Sequence, residues 1–170
     1  MSLALVVDVR ANGIWLALLR DGKLVEIQEE QGNTDFAVGD LYLGKVRKVV
    51  PSLNAAFVDV GYEKDAFLHY LDLGPQFNSL NKFTKDTLKG KQSVADLQYF
   101  KIEKDIPKDG KVSDIVSSSS PILVQVAKEP ISSKGPRLSA EITLAGRYLV
   151  LVPFSEKVSI SQKIRDQKER

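Results

Sequence analysis

Cysteine is absent from the 170 residues, so no disulfide and no thiolate metal site can form, and a secreted disulfide scaffold is excluded. Histidine occurs once, at His69, and with no cysteine and no second histidine nearby it cannot anchor a metal site. No Ser/His/Asp or Cys/His constellation is legible, and no glycine-rich phosphate loop of the Walker or dinucleotide type is present. Charge of one sign is also scarce: 24 basic residues face 22 acidic ones, a net of +2, so attraction to nucleic acid must come from a local patch. No apolar run approaches the roughly 18 residues of a membrane helix. The opening MSLALVVDVR is too short in its apolar part, and too soon charged, for a signal peptide. These absences predict a soluble, cytoplasmic protein.

With 43% apolar residues, the chain is long enough for one complete module plus extra pieces. Residues 3–30 read as three antiparallel strands, LALVVDV, IWLALLR and KLVEIQEE, with turns at Ala11-Asn12-Gly13 and Asp21-Gly22. Gln31-Gly32-Asn33-Thr34 is a break. From Val38, three more strands follow at the pitch of a small barrel, separated by Pro51-Ser52-Leu53-Asn54 and Gly61-Tyr62-Glu63-Lys64. Between Gly74 and Ser120 the period of two dissolves, and eight lysines stand against six acids from Gln76 to Val116. This segment is expected to be a partly helical, mobile insertion with a serine connector at its end. Strand character resumes at Pro121–Ala127, passes through a Lys128–Arg137 loop, and continues with Leu138, Ala140, Ile142 and Leu144 alternating on one strand. Short strands are expected at Gly146–Pro153 and Lys157–Ile164, ahead of a frayed or helical end.

The informative anomaly lies in two of the barrel strands. Alternate strand side chains face opposite ways, so Ala56, Val58 and Val60 form an inward row while Phe57 shares its face with Asp59. The next run repeats the arrangement: Ala66, Leu68 and Tyr70 point in, and Asp65, Phe67 and His69 point out. Two adjacent outward aromatics, with Lys45, Arg47 and Lys48 nearby in sequence, make a platform for unstacked bases. Single-stranded RNA is the expected partner. The bland alternative is that the inserted segment folds over Phe57 and Phe67 and makes them ordinary core. His69 could stack on RNA or be a satisfied surface histidine. The cations could meet phosphates or be a solvated strand face.

VGDLYLGKV, NAAFVDVG and DAFLHYLDL together resemble the S-one RNA-binding motif, a five-stranded OB-fold barrel. Departures occur at Asn54-Ala55, where glycine commonly precedes the Ala-Phe pair, and at Tyr70-Leu71, where serine is more usual. Over nearly the whole chain, PSLNAAFVDVG, KDAFLHYLDL, LVQVAKEPISSKGPRLSAEI and LAGRYLVLVPFS resemble the N-terminal part of the ribonuclease E/G family. The resemblance implies a mainly β chain. Residues 1–35 would be the opening strands of an incomplete ribonuclease-H-like domain, and 36–140 the S-one/OB-fold domain with its insertion at about 74–120. Residues 141–170 would be the start of a 5′-sensor-like region, cut short.

The same resemblance implies an endoribonuclease of RNA processing and decay. Its intact form would cleave single-stranded RNA with magnesium at paired aspartates and form a homo-oligomer through zinc-binding cysteines. This chain carries neither feature, so it is expected to bind RNA through Phe57, Phe67, His69, Lys45, Arg47, Lys134 and Arg137 with no catalytic or metal-binding residue and no cofactor of its own. Lys134 matches the family's loop lysine associated with RNA. Asp8 ends the first strand where active ribonuclease-H-like enzymes place a metal ligand, but one carboxylate does not make a two-metal site, and it reads as a strand-end residue. Unpaired strand edges in residues 3–30 carry a risk of self-association. The competing reading is a non-catalytic OB-fold adaptor associated with translation or the ribosome.

Overall fold

The computed structural model describes residues 2–11, 13–30, 35–91, 97, 99–146, 148–157 and 160–169. It divides into two compact units, residues 1–35 and 36–170. The expected Gln31–Thr34 break and Asn12 lie outside the described residues.

The first unit is an antiparallel meander of β1 (Leu3–Arg10), β2 (Gly13–Arg20) and β3 (Lys23–Glu30), in that order across the sheet. Its second turn is made by Asp21 (φ 49°) and Gly22 (φ 76°), the doubly left-handed pair that matches strand twist in a two-residue hairpin. Asp21 also accepts the Ser2 backbone N–H at 2.7 Å. Register places Leu5 opposite Leu18 and Val7 opposite Leu16 on one face, with Val6, Ala17 and Ile27 aligned on the other. Both faces therefore carry apolar rows, and Leu5 (65%) and Ile27 (56%) are largely exposed.

The second unit is built on a closed five-stranded barrel. Its strands are β4 (Leu41–Val50), β5 (Ala55–Asp59), β6 (Ala66–His69), β7 (Pro121–Lys128) and β8 (Arg137–Ser139), closing in the order β4-β5-β6-β8-β7. Only the short β6 to β8 pairing is parallel. The inward rows are those the alternation dictates: Ala56 and Val58 from β5, Ala66 and Leu68 from β6, and Ile122, Val124 and Val126 from β7 are all buried. Val60 is half-buried against this core. Gly44 on β4 has no room for a side chain, since a Cβ there would sit 2.6 Å from Val58 Cγ1 and 2.9 Å from the Asp59 carbonyl oxygen.

The 74–120 segment is not a loose addition. Its helix α1 (Phe77–Leu88) buries Phe77 and Leu80, and its single-turn helix α2 (Val112–Ile115) delivers Val112 to the barrel core, joined by Val116 just beyond it. The expected helical character is present, and the apolar residues of these parts pack into the barrel core, which does not fit a mobile insertion there. Residues 92–96 and 98 lie outside the described set. Two polar ties fix the segment. Asn54, in a left-handed conformation (φ 47°) that asparagine tolerates, donates to the Gly110 carbonyl at 3.0 Å and accepts the Val112 N–H at 2.7 Å. The buried Tyr70 hydroxyl donates to the Pro107 carbonyl at 2.6 Å.

Leu138, Ala140, Ile142 and Leu144 do not share one strand. β8 ends at Ser139, whose hydroxyl accepts the Glu141 N–H at 3.0 Å, while the Ala140 N–H turns to the Asp72 carbonyl at 2.8 Å. The buried Gln125 side chain then accepts the Thr143 N–H at 2.9 Å. Side-chain and loop partners thus replace the ladder, and Leu144 opens a separate two-stranded piece, β9 (Leu144–Ala145) with β10 (Val150–Leu151). The expected Gly146–Pro153 strand shrinks to β10, and that at Lys157–Ile164 to an isolated bridge between Leu149 and Ile160. Arg147 and residues 158–159 lie outside the described set, and of the charged end residues 165–166 are irregular and 167–169 form a turn, with no helix among the described residues there.

Candidate functional site

Phe57 and Phe67 stand directly opposite each other in the β5–β6 ladder. Their neighbours Ala56, Val58, Ala66 and Leu68 are fully buried, so the pleat turns both rings to the outer face, where each is half-buried. The ring centroids are 5.8 Å apart at an interplanar angle of 68°, an edge-to-face pair. His69 continues the row, its ring 6.4 Å from Phe67 and tilted by 32°. Its Nδ1 accepts the Leu71 N–H at 3.1 Å, which leaves Nε2 as the free edge.

Over this face lies a cavity of about 660 Å³, within the size range of small-ligand sites. Phe57 and Phe67 line it together with Lys64, Lys128, Ile131 and Lys134, and Arg137 completes one side. Among the described residues, none from 74–120 lines it, so the alternative that the insertion seals the two rings does not hold. One wall is the Lys128–Arg137 loop, folded back on itself by the pairing of Ile131 with Lys134. Gly135 brings that loop against the barrel: a Cβ there would run into the carbonyl oxygens of Asp65 and Lys64. The Pro136 carbonyl accepts the Phe67 N–H at 2.9 Å, and Lys64 Nζ donates to the Ser132 carbonyl at 3.2 Å.

The cations expected to serve this face divide into three groups. Lys134 lines the cavity from the loop. Arg137 lines it too, but its guanidinium is held by both oxygens of Asp72 at 2.9 to 3.1 Å. Lys45 and Arg47 do not line it; they gather on β4 beside Asp59, with Lys45 opposite Asp59 in the ladder and Arg47 Nη2 2.6 Å from its carboxylate. The Gly61 backbone N–H, and then Arg47, hold the Asp59 carboxyl below its ordinary value. A bulge between Val46 and Lys48 moves Lys48 into line with Phe57, onto the aromatic face. Lys64, Lys128 and Ile131 were not anticipated. Their only sequence signal is their place in the two loops that flank the aromatic strands.

In the first unit, the Asp8 carboxylate is taken by Arg10, with Nε at 2.8 Å and Nη2 at 2.6 Å. Among the described residues no group of three His, Cys, Asp or Glu side chains could hold a metal ion. Also among them, no helix is long and apolar enough to cross a membrane.

No protein-family model matches the chain. Individual relatives do. Ribonuclease G of Haemophilus influenzae is 35% identical over 169 residues, 99% of this chain and 30% of the relative. Ribonuclease G of Escherichia coli K12 is 34% identical over 170 residues, 100% of this chain and 31% of the relative. A ribonuclease E/G-like protein of Porphyra purpurea is 40% identical over 139 residues, 81% of this chain and 22% of the relative. A mainly β chain with a closed barrel and an outward aromatic pair is thus related to the ribonuclease E/G family. The chain spans about 30% of the length of the bacterial relatives it matches.

Proposed function

We propose that this chain is the single-strand RNA-gripping part of a ribonuclease E/G-type endoribonuclease acting in RNA processing and decay in the cytoplasm. The observation that carries the reading is the Phe57–Phe67 pair, in register and 5.8 Å apart on the outer face of the barrel under an open cavity. Aromatic side chains on a strand surface accept any unstacked base, because every base has a π-face. The five-stranded barrel is then read as an OB-fold of the S-one type, a fold whose strand face and loops bind oligonucleotides. Phe57 and Phe67 stack bases, His69 extends the platform, and Lys134, Lys45 and Arg47 meet phosphates. Arg137 acts from beside Phe67, with Asp72 fixing its guanidinium.

In this reading the magnesium-binding carboxylates that cut RNA, and the zinc-linked contacts of a homo-oligomer, belong to other parts of the intact enzyme. Residues 1–35 contribute strands to a ribonuclease-H-like sheet, and 141–170 begin a 5′-sensor-like region.

The test is binding of a fluorescein-labelled, unstructured RNA to the 170-residue chain by anisotropy. Each ring contributes about 1–3 kcal/mol through stacking, so Phe57→Ala with Phe67→Ala lowers affinity more than about tenfold while circular dichroism stays native. Unchanged affinity of a folded double variant overturns the proposal.

A further inference from the structure

We infer that Ile131 is a second jaw of the RNA site: it closes over a base lying on Phe57 and Phe67 and makes the site a slot for unpaired nucleotides. This rests on the RNA-binding reading above and adds to it a residue and a physical basis for the preference for unpaired nucleotides.

Ile131 is 71% exposed, yet it lines the same cavity as the two rings. A lone exposed isoleucine ordinarily means little. Here its position is fixed from three sides. The Ile131 N–H and carbonyl both pair with Lys134, so the side chain projects from a tight two-residue turn rather than a free loop. The next residue, Ser132, is held through its carbonyl by Lys64. Gly135 lets the far end of the loop press on the Lys64 and Asp65 backbone. A β-branched side chain is stiff about its first torsion, so a turn held this way presents one apolar surface in one place.

The two rings line the same cavity as that surface, and so do Lys64, Lys128 and Lys134 together with the acids Asp65 and Glu129. In the proposed slot the rings are the apolar floor and Ile131 the apolar jaw, and the phosphodiester leaves past the lysines. A base inserted there is covered on both faces. Bases inside a duplex already have both faces stacked, so only an unpaired nucleotide can enter. Rings without an opposing jaw would accept the end of a duplex as readily as a loose strand.

The experiment compares the 170-residue chain, Ile131→Ser, Ile131→Leu and Phe57→Ala on two probes of equal length, an unstructured single-stranded RNA and a blunt RNA duplex. Ile131→Ser is expected to weaken single-strand binding roughly fivefold or more, from the lost apolar cover. Ile131→Leu, which keeps the jaw, stays within about twofold of the parent. Duplex binding, carried by phosphates, is unchanged in Ile131→Leu and Phe57→Ala and does not fall in Ile131→Ser, whose uncovered rings can stack on a blunt end. The salt dependence of Ile131→Ser matches the parent because no charge is altered. Ile131→Ser binding the single strand like the parent, or losing both probes equally, overturns the slot. The RNA-binding reading survives that result if Phe57→Ala still weakens single-strand binding, and falls with it if Phe57→Ala does not. Since Ile131 is exposed, the serine variant keeps the parent's thermal midpoint, so its loss of single-strand binding reports contact; a fall in that midpoint that accounts for the lost binding overturns the slot.

Discussion

Arg47 stands on the outer side of β4, but Asp59 holds it at 2.6 Å, so in the folded chain its charge already has a carboxylate partner. Replacing Asp59 with asparagine removes the countercharge and keeps the shape. The amide oxygen can still accept the Gly61 N–H, now bonded at 2.9 Å, so the turn after β5 is retained. Arg47 is then free to neutralise one more phosphate. For a single strand, each neutralised phosphate adds about −0.7 to the slope of log affinity against log salt. Between 50 and 200 mM salt that extra slope amounts to a further loss of about 2.6-fold. Asp59→Asn should therefore bind unstructured RNA more tightly than the parent at 50 mM and converge on it as salt rises, with its slope steeper by about 0.7. Anisotropy titrations across five salt concentrations read both quantities.

Acid does not do the same job in the parent. The Gly61 N–H and Arg47 hold the Asp59 carboxyl below its ordinary 3.8. A carboxyl depressed on folding adds stability that is present above its unfolded value and is lost as pH falls through the lower folded one. The ion pair therefore persists at every pH above that range, and the difference between Asp59→Asn and the parent should be equal at pH 6 and pH 8. An unchanged or shallower slope would refute the reasoning and remove Arg47 from the RNA face.

Two further substitutions test the scaffold behind the site. Asn54→Ala loses the bonds to Gly110 and Val112 and forces alanine into a left-handed conformation, which together cost about 2–4 kcal/mol in urea denaturation; Asn54→Gly loses the bonds alone and costs about half of that. Equal costs for the two variants would remove backbone conformation from the account. Gly135→Ala drives a methyl into the carbonyls of Lys64 and Asp65, lifting the loop; RNA affinity should fall at least as far as in Ile131→Ser while the far-ultraviolet circular dichroism is kept, and parent-like affinity would show the loop is not a wall of the site.

What could be read from the chain, and what could not, follows the range of the forces involved. Strand parity is local: Ala56, Val58, Ala66 and Leu68 are small or branched and alternate with larger or polar neighbours, so the inward rows and the outward Phe57, Phe67 and His69 were legible from the pleat alone. The same reasoning failed from Leu138 to Leu144 because a period of two is indifferent to what supplies the hydrogen bonds. There Asp72 and Gln125, distant in sequence, take the backbone donors that a strand partner would have taken. At Lys48 the expected place beside the rings is reached only through a bulge that inserts one residue and turns every later side chain over, and nothing in Lys-Val-Arg-Lys marks it.

The helical character of the insertion was legible, but its packing was missed for a related reason. Phe77, Val112 and Val116 are far apart in the chain, and their joint packing on the barrel leaves no periodic trace. Charge was the least legible property of all. Arg137 and Asp72 are 65 residues apart and Arg47 and Asp59 are 12 apart, so a sequence that lists four cations near the aromatic strands cannot say which are already paired. The geometry separates them. Lys134 stands with Lys128 along the cavity; Lys64, also there, is tied to the Ser132 carbonyl and to Glu63 at 3.6 Å, while Arg47 and Arg137 answer to carboxylates first. On a chain with a net charge of only +2, that sorting matters more than the total: in the proposed RNA site phosphate contacts fall to a few lysines, and the loop that carries Lys134 is held by Gly135 and Pro136 against the strand that carries Phe67.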